Sequence, residues 1–416
     1  MNHRNLRTSR WGILWVSYLG IIAFALVFQS FSPVLDLMIS GIGLTHGQAG
    51  ALMSYFALPG ILFSIPAGVL SDRYGARTVG LVSLLLMTVG SALTAAGGDF
   101  LWLAAGRTIA GMGAFTLTVT LTQLISVWFK GRELGLAMGV YNTGMPLGTI
   151  IALNTLGVIG RAQGWHVSIA ATAAVSMFAL IAFYYVARVP AGEDGGGTKE
   201  EGREELFVHR PSSILSLLSS LLPRPSVFRT LGPGVWLVGV SWLWVNAAGI
   251  SFLTFGTDYF LSRGESAAAA GLLTSFLMVG SVFLSPAAGF MIDRGWNQKT
   301  MIIVGSVLLG IVYILIPQMK LNVYVLTIVL GVAAALIPVA VFSLPARILP
   351  LRHVGLGFGI ISACLNIGIT IGPCMVGIAR DLVGGYYTGF VMMAVFSFLS
   401  LAVIALLRIK NNYNRS

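Results

Sequence analysis

The chain has 416 residues, of which 56% are hydrophobic and only 9% charged. A soluble domain carries about 25% charged residues, so a water-soluble enzyme of this composition would expose very large apolar patches; a bilayer is the expected solvent. The formal charge of +11 admits nucleic acid as a partner until the basic residues are placed along the chain.

Arg4, Arg7 and Arg10 precede an apolar run from Trp11, a pattern shared with secretory leaders. The run reaches about Ser32, long enough to span a bilayer as a retained first helix. Apolar runs fall near 11–32, 49–70, 78–97, 99–127, 134–158, 166–187, 231–256, 268–292, 300–317, 322–346, 354–379 and 386–407. Each approaches the ~20 residues that cross the hydrocarbon as a helix. Backbone groups in lipid must be satisfied within the chain, which leaves helices or closed barrels. These runs do not alternate as barrel strands do, so the expected class is an all-α membrane protein with twelve transmembrane helices.

The one long hydrophilic stretch, 188–230, holds Glu193-Asp-Gly-Gly-Gly and Lys199-Glu-Glu-Gly-Arg-Glu-Glu and reads as a flexible linker. Within it, Ile214-Leu-Ser-Leu-Leu-Ser-Ser-Leu-Leu has the pattern of a surface-lying amphipathic helix. The expected organisation is therefore a six-helix bundle over 1–187, a cytoplasmic linker over 188–230 and a second bundle over 231–416. Cys364 and Cys374 are ten positions apart in one run, about 15 Å along a helix, too far to pair with each other.

With the N-terminus placed inside, twenty of the 25 Lys and Arg fall on the inner side; Arg161, Arg263, Lys320 and Arg380 fall outside. That asymmetry sets both termini in the cytoplasm, in a plasma (inner) membrane. It also removes the case for nucleic acid, because the basic excess is spread over short loops along one face.

Gly68-Val-Leu-Ser-Asp72-Arg73-Tyr-Gly75-Ala-Arg77 separates the second and third runs. A related stretch, Gly289-Phe-Met-Ile-Asp293-Arg294-Gly-Trp-Asn-Gln-Lys299, separates the eighth and ninth. Arg132, Gly135 and Gly139 recur as Arg352, Gly355 and Gly359, and Gly111 recurs as Gly331, all 220 positions on. Six spans return the chain to its starting side, so the repeat is parallel, with two similar bundles and a site between them near the midplane.

These stretches, together with Arg107-x-x-x-Gly111-x-Gly113 in the fourth run, resemble the major facilitator superfamily of transporters over essentially the whole chain. The resemblance implies two pseudo-symmetric six-helix bundles, a small-molecule substrate, no enzymatic activity and no cofactor. It also implies that Gly68, Asp72, Arg73, Gly75, Arg77, Asp293 and Arg294 form a conformational latch of the outward-open state. Physically, Asp72 at the inner end of one helix can sit against the positive N-terminus of the helix starting near Val354; the plainer reading is a positive-inside loop. The first copy has Ser71 where the family commonly has alanine, and the second has Lys299 where its basic end would fall.

Arg107 is the only charge well inside a run. An arginine at a helix centre costs roughly 2.5–3.5 kcal/mol to insert, so it should face an anion in a cavity, a proton-linked switch, or backbone carbonyls as a structural group. Asp36 and Asp258 come closest to the membrane core among the acidic residues. Proton coupling is then expected through one of them, or together with an acidic substrate, unless transport is merely facilitated. Candidate substrate contacts are Arg107, Tyr18, Gln29, Tyr141, Asn142, Trp242, Asn246 and Asn366. Gly111, Ala114, Thr118 and Thr122 share the face of Arg107. The resemblance implies that spans one, four, seven and ten line the cavity; bonding between helices is the plainer role for each polar residue. His166, beside Gly164-Trp165, reads as an interfacial anchor, and Gly372-Pro373 as a bend or close packing in span eleven.

The expected function is secondary transport by alternating access of a small organic anion, a carboxylate, with proton coupling. Efflux of hydrophobic or aromatic compounds is the alternative, suggested by Trp242, Trp244, Phe252 and Phe255. A non-transporting sensor on the same fold is the alternative from another class. The partners expected are the solute, protons and lipid, around a monomer.

Overall fold

The structure is a computed structural model and describes residues 10–129, 133–187, 232–318, 321–349 and 354–407. The expected linker and its amphipathic segment lie outside the described residues. The helices, in chain order, are α1 Arg10–Gln29, α2 Leu35–Ile42, α3 His46–Tyr74, α4 Ala76–Ala96, α5 Phe100–Trp128, α6 Leu134–Gln163 and α7 Trp165–Val186. The second half holds α8 Gly232–Ser262, α9 Ala267–Asp293, α10 Gln298–Leu315, α11 Val323–Ser343, α12 Pro345–Ile348, α13 Val354–Val383 and α14 Tyr386–Ala405. Among the described residues eleven spans are long and apolar enough to cross a membrane, α1 and α2 counting as one. The remaining long helix is α3, with 29 residues.

Polar side chains begin these helices where the chain leaves lipid. Thr45 and Gln48 form a reciprocal capping box at α3, and Asp99, Ser266, Asn297 and Asn322 each accept a backbone N–H at the start of α5, α9, α10 and α11. Each satisfies a donor that has no partner inside its own helix. Gly75, between α3 and α4, has φ 82°, a conformation that glycine enters without steric cost, and this lets the chain reverse within one residue.

The first span is broken. Pro33 has no N–H to offer, and the chain passes through a short 3₁₀ turn at Ser32–Val34 between α1 and α2. The Ser30 hydroxyl donates to the Val27 carbonyl at 2.9 Å.

The repeat is present in three dimensions. A side-chain carbon at Gly111 would overlap the Phe56 carbonyl, and one at Gly331 would overlap the Phe276 carbonyl, 220 positions on for both partners. Likewise Gly148 packs α6 on α1 at Ile22 and Ala25, and Gly368 packs α13 on α8 at Leu243 and Ala247. Small residues at these crossings let the backbones approach, the packing that membrane helices use without a hydrophobic driving force. The close packing expected at Gly372-Pro373 is found, with Gly372 against Ala247 and Pro373 against Gly50.

The halves meet through α3 with α13 and α6 with α9, joined by the turn before α2 against α8. These contacts lie at one end. Gly377 of α13 abuts the His46 backbone, whereas Gly359, five turns earlier on the same face, has nothing within 4 Å. Gly157 of α6 meets Pro33 and Ala267, whereas Gly139, again five turns earlier, has nothing within 4 Å. The two halves are therefore closed at the face holding the α1–α2 break and splayed at the basic face holding the start of α1.

Candidate transport site and gate

The closed end is a gate made by both halves. The side chains of Gln29, which ends α1, and Ser32, which opens the 3₁₀ turn, donate to the Leu253 carbonyl of α8, Gln29 at 2.7 Å. The Ser54 hydroxyl of α3 donates to the Thr370 carbonyl of α13. At the outermost level Asp381 of α13 accepts from the backbone N–H groups of His46 (3.0 Å) and Gly47 (2.6 Å), docking a carboxylate on the N-terminus of α3. The His46 ring lies between two carboxylates, with Nδ1 3.3 Å from Asp381 and Nε2 3.5 Å from Asp258. Asp258 also accepts from Arg380 at 2.6 Å and from the Tyr386 hydroxyl at 2.8 Å. Asp36 pairs with Arg161 at 2.7 Å inside the first half.

Helix periodicity places the predicted residues below this gate. Positions seven and eleven apart share a face, and each residue rises 1.5 Å. Asn246 and Trp242 lie seven and eleven positions before Leu253. Tyr18 lies eleven before Gln29, and Asn142 eleven before Leu153, which abuts Gly271 of α9. Asn366 lies seven before Pro373. These five side chains therefore lie on the same helix faces as the residues that meet at the closed end, about 10–16 Å further toward the basic face. The packing of α8 on α13 keeps a constant offset, with Gly239 against Cys364, Leu243 against Gly368 and Ala247 against Gly372. That offset sets Trp242 level with Asn366.

The chemistry of this layer is neutral. Tyr18 bonds Thr143 at 3.1 Å; Asn246 and Asn366 donate to the carbonyls four residues back. Trp242 stacks edge-on with Phe342 at 5.8 Å, and Phe342 stacks on Phe358. The Trp242 indole N–H and the Asn366 carbonyl oxygen are buried without a hydrogen-bond partner in the protein. A buried polar group left unpaired costs about 1–3 kcal/mol.

Arg107 has a different place from the one expected of an anion contact. Its guanidinium is 1% exposed and donates to the carbonyls of Leu52 (3.3 Å), Val27 (2.8 Å) and Phe28 (3.2 Å), with Met53 Sδ at 3.1 Å. The Phe31 and Phe56 rings lie 4.7 and 4.4 Å from it. Val27 and Phe28 are in the last turn of α1, whose carbonyls lose helical partners at the break. Arg107 fills those acceptors, so the face it shares with Gly111 packs on α3 inside the first half. The candidates instead come from α1, α6, α8 and α13, spans one, five, seven and eleven. Tyr141 is buried beside Thr122 inside the first half, and Gln29 belongs to the gate.

The aromatic set behind the efflux alternative is dispersed. Trp244 stacks on Phe396, Phe252 is enclosed by Phe260, Tyr313 and Phe390, and Phe255 lies by His46 in the gate. His166 stacks on Trp165 and faces the Ala95 carbonyl, as an anchor would.

The latch residues lie at the splayed end. The expected contact of Asp72 with the start of α13 falls outside the described side chains, as does that of Asp293; Gly68 sits within α3 and Gly75 at its turn. Arg73 lies over Tyr74, and Arg294 over Phe290 at 4.2 Å. The basic ends have a defined role: Arg77 donates to the Tyr184 carbonyl in the last turn of α7, and Lys299 donates to the carbonyls of Ala405 and Leu407 ending α14. Each copy thus ties its motif to the last helix of its own half, a cation at a helix C-terminus.

Sequence signals existed for some of what was missed. Thr45-x-x-Gln48 is a capping-box pattern and marks the helix start on which Asp381 docks. Nothing in the sequence pairs His46 with Asp258, 212 positions away.

The chain is similar to the lysosomal dipeptide transporter MFSD1 of Danio rerio, 22% identical over 95% of this chain and 85% of that protein. It is 24% identical to the hexuronate transporter of Bacillus subtilis, over 95% and 94%. Among solved structures it resembles a bacterial homolog of the human lysosomal transporter Spinster in an inward-facing, unoccupied conformation, with TM-score 0.77 and 14% identity over 96% of both chains. It also resembles the nucleoside transporter NupG, with TM-score 0.76 and 12% identity over 96% and 99%. The family model described as Major Facilitator Superfamily matches residues 17–263 and 255–415. Among the described residues there are twelve long helices in two repeated halves that close on each other at one end, and the chain is a member of the Major Facilitator Superfamily, a family of transporters rather than enzymes.

Proposed function

We propose that the protein is a secondary active transporter working by alternating access, with the basic face cytoplasmic and the gate external. Its site is complete within one chain, so a monomer suffices. The substrate is a small polar organic solute, carboxylate-bearing compounds included, held by hydrogen bonds and an indole rather than by an ion pair. The observation that carries this reading is the neutral layer below the gate, with its unpaired Trp242 N–H and Asn366 carbonyl. A carboxylate or carbonyl oxygen accepts from Trp242; a hydroxyl or amide on the same solute donates to Asn366. The relatives named for dipeptides and a hexuronate support that class of solute. Arg107 acts by holding the break in the first span, not by touching the solute. Proton coupling runs through the gate, because among the described residues no carboxylate lies in the middle of the spans.

A thermal-shift screen of the purified protein tests the substrate reading. A ligand of the folded state raises the melting temperature by mass action. Hydroxy acids, sugar acids and short peptides should stabilise the protein, and Trp242→Phe or Asn366→Ala should remove the effect. Stabilisation only by apolar drugs, or a carboxylate response lost in Arg107→Lys but kept in Trp242→Phe, would overturn it.

A further inference from the structure

His46 has both ring nitrogens directed at carboxylates, Asp381 at 3.3 Å and Asp258 at 3.5 Å. A neutral imidazole has one N–H; the second nitrogen then turns a lone pair toward an anion. Only the imidazolium donates on both sides. The two carboxylates belong to the second half and His46 to the first, so this arrangement exists only while the gate is closed. The remaining partners do not supply the missing charge. Arg380 and Tyr386 are committed to Asp258, and Asp381 is already bound to two N–H groups of α3. With His46 protonated, two carboxylates face two cations; without the proton the cluster carries one excess negative charge in a partly buried place. The neighbouring ionisable groups are the paired Asp36 and Arg161, and Glu265, around the adjacent opening, and Arg263 over Tyr259.

We propose that His46 is a proton-binding site assembled from both halves. A proton from water at the gated face binds the imidazole as the gate closes, and it leaves to that water as the halves part. This rests on the alternating-access reading and names where the proposed proton coupling resides. Histidine is the side chain suited to such a role between about pH 5 and 8. A closed state that binds one proton more than the open state gains at most about tenfold in population per pH unit. The advantage is present on the acid side and is lost as pH rises.

The test is a distance measured across the gate without solute. Spin labels at Ser40→Cys and Leu321→Cys, one in each half, are placed in a Cys364→Ser, Cys374→Ser background. Between pH 8 and 5.5 the closed-to-open ratio should rise at least about threefold, within the limit for one linked proton. His46→Gln should flatten the response, while His166→Gln, whose histidine lies within the first half, should keep it. Asp381→Asn removes one of the two carboxylates and should reduce the slope even if His46→Gln proves unstable. A flat response in the parent, or an unchanged slope in either His46→Gln or Asp381→Asn, overturns the proposal. Because no solute is present, that failure leaves the substrate reading untouched, and an unresponsive ligand screen leaves this site standing.

Discussion

At the scale of residues, Arg107 separates what a charge in a membrane must do from what it binds. Composition required a partner for it, and the partners are three carbonyls and a thioether. The Val27 carbonyl keeps the Ser30 hydroxyl and Leu52 lies within α3, so the loss falls chiefly on Phe28, at about 1–3 kcal/mol for an acceptor left unpaired, together with the packing of the buried side chain. Arg107→Ala should therefore lower thermal stability markedly, and Arg107→Lys, with fewer donors, should recover only part of it. Differential scanning fluorimetry in detergent measures both; an unchanged melting temperature for Arg107→Ala would remove the role at the break. Trp242→Phe makes the converse case. It keeps an aromatic ring against Phe342 but loses the N–H and part of the indole, so stability should fall by no more than about 1–2 kcal/mol while solute affinity falls at least about tenfold, the worth of one hydrogen bond. Equilibrium binding on the two proteins decides it.

At the scale of elements, closure depends on positions where no side chain fits. A carbon added at Gly50 overlaps the Pro373 carbonyl, whereas Gly359 has open space around it. Gly50→Ala should shift the gate labels toward the open distance, and Gly359→Ala should leave the distribution unchanged. The same labels report both. The basic ends of the two loop motifs act on single helices. Lys299→Met leaves two carbonyls at the end of α14 without their cation, a loss of about 0.3–1 kcal/mol. It should be small in unfolding experiments and absent from the gate distance, because the contact is within one half.

For the whole molecule, the splay at the basic face predicts accessibility. Without solute, a cysteine at Gly359 should react rapidly with a polar maleimide added from the basic side. One at Gly377, against the His46 backbone, should be protected until the gate opens. Equal rates at the two positions would contradict the one-sided opening.

Much of the fold was legible because lipid imposes few solutions. Runs of spanning length, the 20-to-4 division of basic residues and the 220-residue repeat each follow from solvation or duplication, and each can be counted along a chain. The shared faces of Tyr18 with Gln29 and of Trp242 with Asn246 were legible for the same reason, since helix periodicity is local. The destination of Arg107 was not, because the end of the first helix at Gln29 and the carbonyls exposed there leave no mark at position 107. Nor was the gate, whose groups come from α1 and the turn after it, α3, α8, α13 and α14 and meet only when two halves pack. By itself the sequence determined that the chain spans a membrane as two related bundles, since hydrophobicity and repetition are properties of the chain. Only the tertiary structure decided which carbonyls hold Arg107 and which pair of carboxylates holds His46, because side-chain orientation and distance across the halves are set by packing.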